Sequence, residues 1–196
     1  LRTQDRLEAA QRALDEARAA TTTVRHLSDG LDGLPPAELV DVVAALEGLA
    51  NVAAAVQLDA IRALTLAQRR IDQQDEVPPE VTDRAIASMV GLARRQSPHR
   101  GSRDRHLAAV LADELPATRE AMVRGEGGRQ HAETIARHTV FLSREDRGRV
   151  DAELGPQIGE LSPRALGKRA CHRAYELDPE AQGAIFVVAG AVELTV

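Results

Sequence analysis

Five arginines lie within twelve residues of an otherwise acidic chain. The stretch "RRQSPHRGSRDRH", residues 94–106 and here called the basic segment, contains one acid, Asp104, and the arginines Arg94, Arg95, Arg100, Arg103 and Arg105. A guanidinium group forms bidentate hydrogen bonds with phosphate or with carboxylate. Two chemistries are therefore open to the basic segment. It contacts the phosphates of a polyanion, or its arginines pair with acids of the first two helices.

A second set of polar residues follows a glycine-rich turn. Residues 116–142 have the outline of a helix-turn-helix, with a short helix, the turn "GEGG" and a longer helix. In this interpretation the second helix presents Arg129, Gln130, Glu133 and Arg137 to a DNA groove. The alternative is a helical hairpin whose exposed face carries the i, i+4 pairs Glu120–Arg124 and Glu133–Arg137. Spacing alone favours the hairpin.

Histidine and cysteine spacing argues against a metal site or cofactor. His131 and His138 are seven residues apart, as are His99 and His106, of which His99 lies in an expected loop, so that this pair is not helical. Two helical turns span about 10.5 Å, whereas each ligand must lie about 2 Å from a zinc ion. We therefore expect solvated or capping histidines and no bound cofactor. Cys171 is expected to be a small buried residue.

No catalytic constellation is predicted either. The carboxylate pairs Asp113–Glu114 and Glu145–Asp146 are adjacent, so on a helix their side chains point about 100° apart. Cys171 and His172 are neighbours, whereas a nucleophile and its base usually come from different elements. The chain by itself is not expected to be an enzyme.

Composition favours an all-α fold. Of 196 residues, 43% are hydrophobic, mostly the helix-favouring Ala and Leu together with Val, and only 2% are aromatic. The net charge is −5, but residues 94–149 contain 12 basic and 8 acidic residues, a local charge of +4. Only this middle part would attract a polyanion. The single cysteine fits a reducing cytoplasm, and we expect no membrane span. Because the chain begins with leucine, we expect a fragment.

Hydrophobic periodicity and capping signals predict eight helices, with Ser102 as N-cap of the fourth. They cover residues 2–20, 36–74, 80–95, 103–114, 117–125, 129–141, 143–154 and 162–177. The run "TTT" at 21–23 weakens the first helix, and "SDGLDGLPP" at 28–36 ends it. The apolar tail, residues 182–196, is predicted to form a strand or short hairpin. The predicted organisation is a helix and linker over 1–34, a helical domain over 35–181 and this tail. The length of the second helix suggests pairing within the chain or a homodimer.

Several phrases occur in an order typical of one family. They are "RRQSPHRGSRDRHLAAVLADELPATREAMVRGE", "HAETIARHTVFLSREDRGRVDAELGPQIGELSPRAL" and "RAYELDPEA". With these phrases the chain resembles the domain of unknown function 222 over about residues 35–181. This domain is the N-terminal region of actinobacterial proteins that often end in an HNH endonuclease domain, including the mycobacterial thirteen-E-twelve repeat proteins.

The resemblance implies a helical, cytoplasmic, DNA-associated targeting or regulatory module linked to mobile elements. Nuclease chemistry would belong to a downstream HNH segment that holds a metal. The sequence departs from relatives at "GEGGRQ", where they have one glycine before an apolar residue and serine, and after "LDPEA". The alternative is a helical interaction or dimerisation module without nucleic-acid contact. The candidate DNA contacts are Arg94, Arg95, Arg100, Arg103, Arg105, Arg129, Gln130 and Arg137.

Overall fold

The structure is a computed structural model that describes residues 3–179. Eight α-helices and two 3₁₀ turns, residues 28–30 and 155–160, make up this part, and it contains no strand. The helices are α1 Thr3–Leu27, α2 Pro36–Gln74, α3 Pro79–Ala93, α4 Pro98–Asp113, α5 Pro116–Val123, α6 Arg129–His138, α7 Arg144–Leu154 and α8 Pro163–Leu177. The predicted all-α class is confirmed. The predicted strand over 182–196 lies outside the described residues.

The chain divides into two compact units, Leu1–Leu46 and Glu47–Val196, and the boundary falls within α2. In the first unit, α1 continues through the threonines at 21–23 to Leu27, so it ends where "SDGLDGLPP" begins, as predicted. The hydroxyls of Thr21, Thr22 and Thr23 donate to the carbonyls four residues earlier. These bonds keep the threonines within a helix.

Helix α2 has 39 residues, as predicted, and begins at Pro36. It is long and apolar enough, by length and composition, to cross a membrane. A single helix of this kind does not identify a membrane protein, because core helices of soluble proteins share the same composition.

The second unit has one hydrophobic core, to which the middle of α2 and all later helices contribute. Leu58, Ile86, Ile135, Leu154 and Leu166 are among its largest buried side chains. Alanines fill much of the remaining core and allow close approach of the helix backbones: Ala108, Ala121, Ala132, Ala170 and Ala174 are almost completely buried.

The basic segment is mostly helix, which corrects the predicted loop. Helix α4 begins at Pro98, and the Ser97 hydroxyl accepts a hydrogen bond from Arg100 N at 3.3 Å. Ser97 is therefore the N-cap, and the prediction that Ser102 has this role is wrong. Pro98 takes the first helical position, where a backbone N–H would have no acceptor within the helix, so its absence costs no hydrogen bond. His99, predicted to lie in a loop, is also in α4.

The turn between α3 and α4 holds Arg95 in a left-handed conformation, with φ of +55°. Gln96 N donates to Gly91 O at 2.7 Å, and Arg95 N donates to Leu92 O at 3.0 Å. This double pattern is a Schellman motif, which usually places glycine at the left-handed position. Arg95 is thus held at the tip of the turn with its side chain exposed.

The glycine turn between α5 and α6 packs closely against its surroundings. An added Cβ on Gly127 would overlap Ile158 Cγ2, and one on Gly128 would overlap Asn51 Oδ1. Asn51 Nδ2 also donates to Gly125 O at 3.0 Å. The glycines of "GEGG" therefore allow close packing against α2 and the second 3₁₀ turn. Gly48 of α2 also lies at this close approach, with its carbonyl oxygen 3.1 Å from a Cβ built on Gly125.

A buried carboxylate from α7 caps the start of α5. Asp151 accepts hydrogen bonds from Ala117 N at 2.7 Å, Thr118 N at 2.9 Å and the Thr118 hydroxyl at 2.5 Å. Burial raises the pKa of Asp151 above its ordinary value, although these hydrogen bonds act in the opposite direction. Leu115, the N-cap residue of α5, offers no side-chain cap of its own.

We expect Asp151→Ala to lower the free energy of unfolding by about 2 kcal/mol, because it leaves two backbone donors and a hydroxyl unsatisfied inside the protein. Urea denaturation followed by circular dichroism measures this change. Glu145→Ala, an exposed position on the same helix, is the control and should stay within about 0.5 kcal/mol of the parent. Equal effects of the two substitutions would show that the cap is not important.

Candidate nucleic-acid interface

Two of the candidate arginines hold a buried acid. Asp104 of α4 is fully buried and forms ion pairs with Arg94, at the end of α3, and with Arg129 of α6. Arg129 Nε also donates to Glu133 Oε1 at 2.9 Å. We call Arg94, Asp104, Arg129 and Glu133 the Asp104 cluster. Its charges hold α3, α4 and α6 together.

Arg94 lies among both acidic and basic groups. Burial lowers the pKa of Arg94, and the positive charges of Arg129 and Arg100 lower it further, while Glu133 opposes them. A guanidinium in this position is stabilised by the nearby carboxylates. Arg94 and Arg129 are therefore poorly placed to leave Asp104 for an external phosphate.

Arg105 also has an internal partner. Its guanidinium lies 3.2 Å from Asp83 Oδ1, an oxygen that Arg69 Nη2 also contacts, at 2.9 Å. Three candidate arginines are thus paired with acids, which is the kind of contact that the alternative interpretation predicted. The partner acids differ from that prediction, because they lie in α3, α4 and α6 and not in the first two helices.

The other candidates have no acidic partner within residues 3–179. Arg95, Arg103, Gln130 and Arg137 are exposed, and Arg100 is half-buried. The predicted pair Glu133–Arg137 does not form, because Glu133 pairs with Arg129. The predicted pair Glu120–Arg124 does form, at 3.2 Å.

Two of these unpaired cations face the same cleft between α4 and α6. Arg103 and His106 line it from α4, and Arg137 lines it from α6, around a volume of about 460 Å³. Glu133 and Arg147 also line this cleft, but each is paired, with Arg129 and Glu114 respectively. The uncompensated charge at the cleft is therefore positive.

Helix α6 has only a narrow exposed strip. Ala132, Thr134 and Ile135 are buried, and the exposed side chains are Gln130 and Arg137. Of the four residues that the helix-turn-helix interpretation offers to a groove, these two face solvent. The other two, Arg129 and Glu133, pair with each other.

A second cleft, between α6 and α8, was missed by the sequence analysis. It has a volume of about 840 Å³ and is lined by Gln130, Thr134, Arg137, Arg164, Lys168 and Tyr175 among others. The signal lies in the spacing of Arg164, Lys168 and Tyr175, which are separated by four and seven residues. This spacing places all three on one face of a helix.

The histidines of α6 make different contacts. His131 Nδ1 accepts from Gly128 N at 3.2 Å, and His131 Nε2 lies 3.0 Å from Leu161 O, so His131 caps the start of α6. Burial, together with the charge of Arg137, lowers the pKa of His138. No group of three or more His, Cys, Asp or Glu residues able to hold a metal occurs in the described part. Cys171 is half-buried and not buried as predicted.

Comparison with known proteins gives one match. Residues 43–188 match the model of a family described as Domain of unknown function (DUF222). No curated protein and no solved structure matches the chain.

Proposed function

Because the chain belongs to the DUF222 family, we propose that it is the DNA-associated targeting or regulatory module of an HNH-nuclease-type protein. In this proposal the module acts in the cytoplasm of actinobacteria, is linked to mobile elements and contributes no nuclease chemistry itself. The observation that supports DNA contact is the group of unpaired arginines on neighbouring helices, above all Arg103 and Arg137 at the α4–α6 cleft.

These arginines have the chemistry that a phosphate backbone requires. An exposed guanidinium without an acidic partner keeps its donors available for phosphate oxygens. Arg95 and Arg100 lie beside the first turn of α4, a 16-residue helix whose N-terminal end carries partial positive charge. Contacts of this kind position a protein on DNA and do not read its sequence.

An exposed apolar surface favours a second candidate function. Within the second unit, helix α2 exposes large apolar side chains, among them Leu49 at 45% and Val56 at 56%. Two copies of the chain could pair through this surface, as a dimerisation module without nucleic-acid contact. Light scattering over a range of concentrations tests this candidate, which a strict monomer would exclude.

A salt series tests DNA binding by the module. Affinity for duplex DNA should fall steeply between roughly 50 and 200 mM salt. Replacing Arg95, Arg100 and Arg103 with glutamine should weaken binding and make the slope of log affinity against log salt shallower. The slope should change by about 0.9 for each phosphate that the variant no longer neutralises. Fluorescence anisotropy with a labelled duplex measures both quantities.

A matched variant controls for the loss of three charges. Arg124, Arg149 and Arg173 each pair with acids on the surface, and their replacement with glutamine should leave the slope unchanged. Failure of the parent protein to bind at the lowest salt would refute the proposed function. An equal change of slope in both variants would refute the assignment of the contacts to α4 and its preceding turn.

A further inference from the structure

The α6–α8 cleft combines three free cations with an exposed aromatic ring. Arg164, Lys168 and Tyr175 line it from α8, and Arg137 lines it from the facing side of α6. Along α8, Arg164 and Tyr175 are about 16 Å apart. The cleft is therefore long enough to contact more than one unit of an extended ligand.

The three cations have no internal counterion. Arg137, Arg164 and Lys168 are exposed and make no ion pair or hydrogen bond with any residue between 3 and 179. None of the residues that line the cleft is acidic. Three other surface arginines of this unit differ in this respect, because Arg124, Arg149 and Arg173 each pair with two acids. Nearby cations without counterions repel one another, and an anionic ligand removes that repulsion.

Tyr175 gives the cleft a second kind of contact. Tyr175 is 56% exposed. It is the one tyrosine of a chain that has no tryptophan. Its hydroxyl has no partner in the described structure, so no internal hydrogen bond explains its position. An exposed aromatic ring beside basic residues is the combination by which proteins stack the bases of single-stranded nucleic acids.

We propose that the α6–α8 cleft binds single-stranded DNA, with phosphates at Arg137, Arg164 and Lys168 and one unpaired base stacked on Tyr175. The base must come from a single strand, because in a duplex both faces of a base are covered by its neighbours in the stack. A volume of about 840 Å³ lies within the range of about 300–1,000 Å³ typical of ligand pockets. The inference rests on the proposed function in taking DNA as the ligand, and it adds that the bound DNA is single-stranded.

Affinity measurements separate stacking from charge. The probe is a labelled thymidine oligonucleotide of roughly ten residues, within the site sizes of single-strand-binding domains. Tyr175→Ala should weaken its binding about tenfold, whereas Tyr175→Phe, which keeps the ring, should bind like the parent. A strand of equal length without bases should bind the parent and Tyr175→Ala equally. Replacing Arg164 and Lys168 with glutamine should weaken binding of both strands.

The single tyrosine also allows a direct spectroscopic test. With labelled tyrosine, the ring resonances in an NMR spectrum belong to Tyr175 alone. The thymidine strand should shift these resonances upfield, through the ring current of a stacked base, and the strand without bases should not. Melting curves confirm that each variant is folded, which is expected because Tyr175 and the cations are exposed.

The outcomes distinguish this inference from the proposed function. The cleft assignment would be overturned if Tyr175→Ala and the parent bound the thymidine strand equally, or if the tyrosine resonances did not shift. This holds even if salt-sensitive duplex binding through α4 is observed. Single-strand binding that depends on Tyr175, in a protein that does not bind duplex DNA, would support the cleft and refute the proposed duplex contact at α4.

Discussion

Asp104→Ala is expected to lower the free energy of unfolding of the second unit by about 3 kcal/mol or more. Asp104 is fully buried between Arg94 and Arg129, and its removal leaves two largely buried guanidinium groups facing each other without a counterion. Both arginine side chains keep about a fifth of their surface exposed. Solvent therefore compensates part of the missing attraction, and the expected cost is at the lower end for a broken buried ion pair.

Urea denaturation of the variant measures this change, with Asp113→Ala as the control. Asp113 lies on the same helix and pairs with Arg62 at 2.7 Å, but it is more exposed. The control should cost no more than about 1 kcal/mol. Adding Arg94→Met and Arg129→Met to Asp104→Leu should restore most of the stability, because the buried centre of the cluster is then apolar and only the part-exposed Glu133 keeps its charge. A small effect of Asp104→Ala alone would contradict the role given to the cluster.

Gly101→Ala is expected to destabilise the protein by about 3 kcal/mol, although alanine favours a helix by about 1 kcal/mol. An added Cβ would overlap the carbonyl oxygen of Ala87 and lie 2.8 Å from Gly91 N. Both atoms belong to the backbone of α3, so the overlap cannot be relieved by a change of rotamer. Helices α3 and α4 would have to separate.

The matched control is Gly148→Ala in α7. Nothing lies within 4 Å of a Cβ built at Gly148, so this substitution should stabilise the protein by about 0.5–1 kcal/mol. Thermal denaturation of the two variants should therefore give shifts of opposite sign. Equal midpoints would show that α3 and α4 are not held at the close distance that Gly101 permits.

Local signals were enough to predict most helix starts. Ser162 and Pro163 begin α8 as predicted, with Ala165 N donating to the Ser162 hydroxyl at 3.3 Å. The same Ser–Pro pattern begins α4 at Ser97, yet it was missed. Pro98 and Gly101 together are also typical of a loop, but in this fold Gly101 lets α4 approach α3. A sequence does not distinguish a glycine that bends from one that packs.

The candidate interface was harder to predict than the fold. Asp104 was visible as the one acid of the basic segment, but only the packing of α3, α4 and α6 brings Arg94 and Arg129 to it. Some candidate arginines therefore pair with acids and others do not, and the sequence spacing does not show which. The residues of the α6–α8 cleft lie on two helices, and on α8 alone their pattern resembles an ordinary solvated face.

The Asp104 cluster has a consequence for the energetics of association. It fixes the ends of α3, α4 and α6 relative to one another, and these elements also carry Arg95, Arg103 and Arg137. The framework of these three cations is thus preorganised before any ligand arrives, and little backbone entropy remains to be surrendered on binding. A phosphate array with a different spacing would be bound less tightly, because the rigid framework cannot move to follow it.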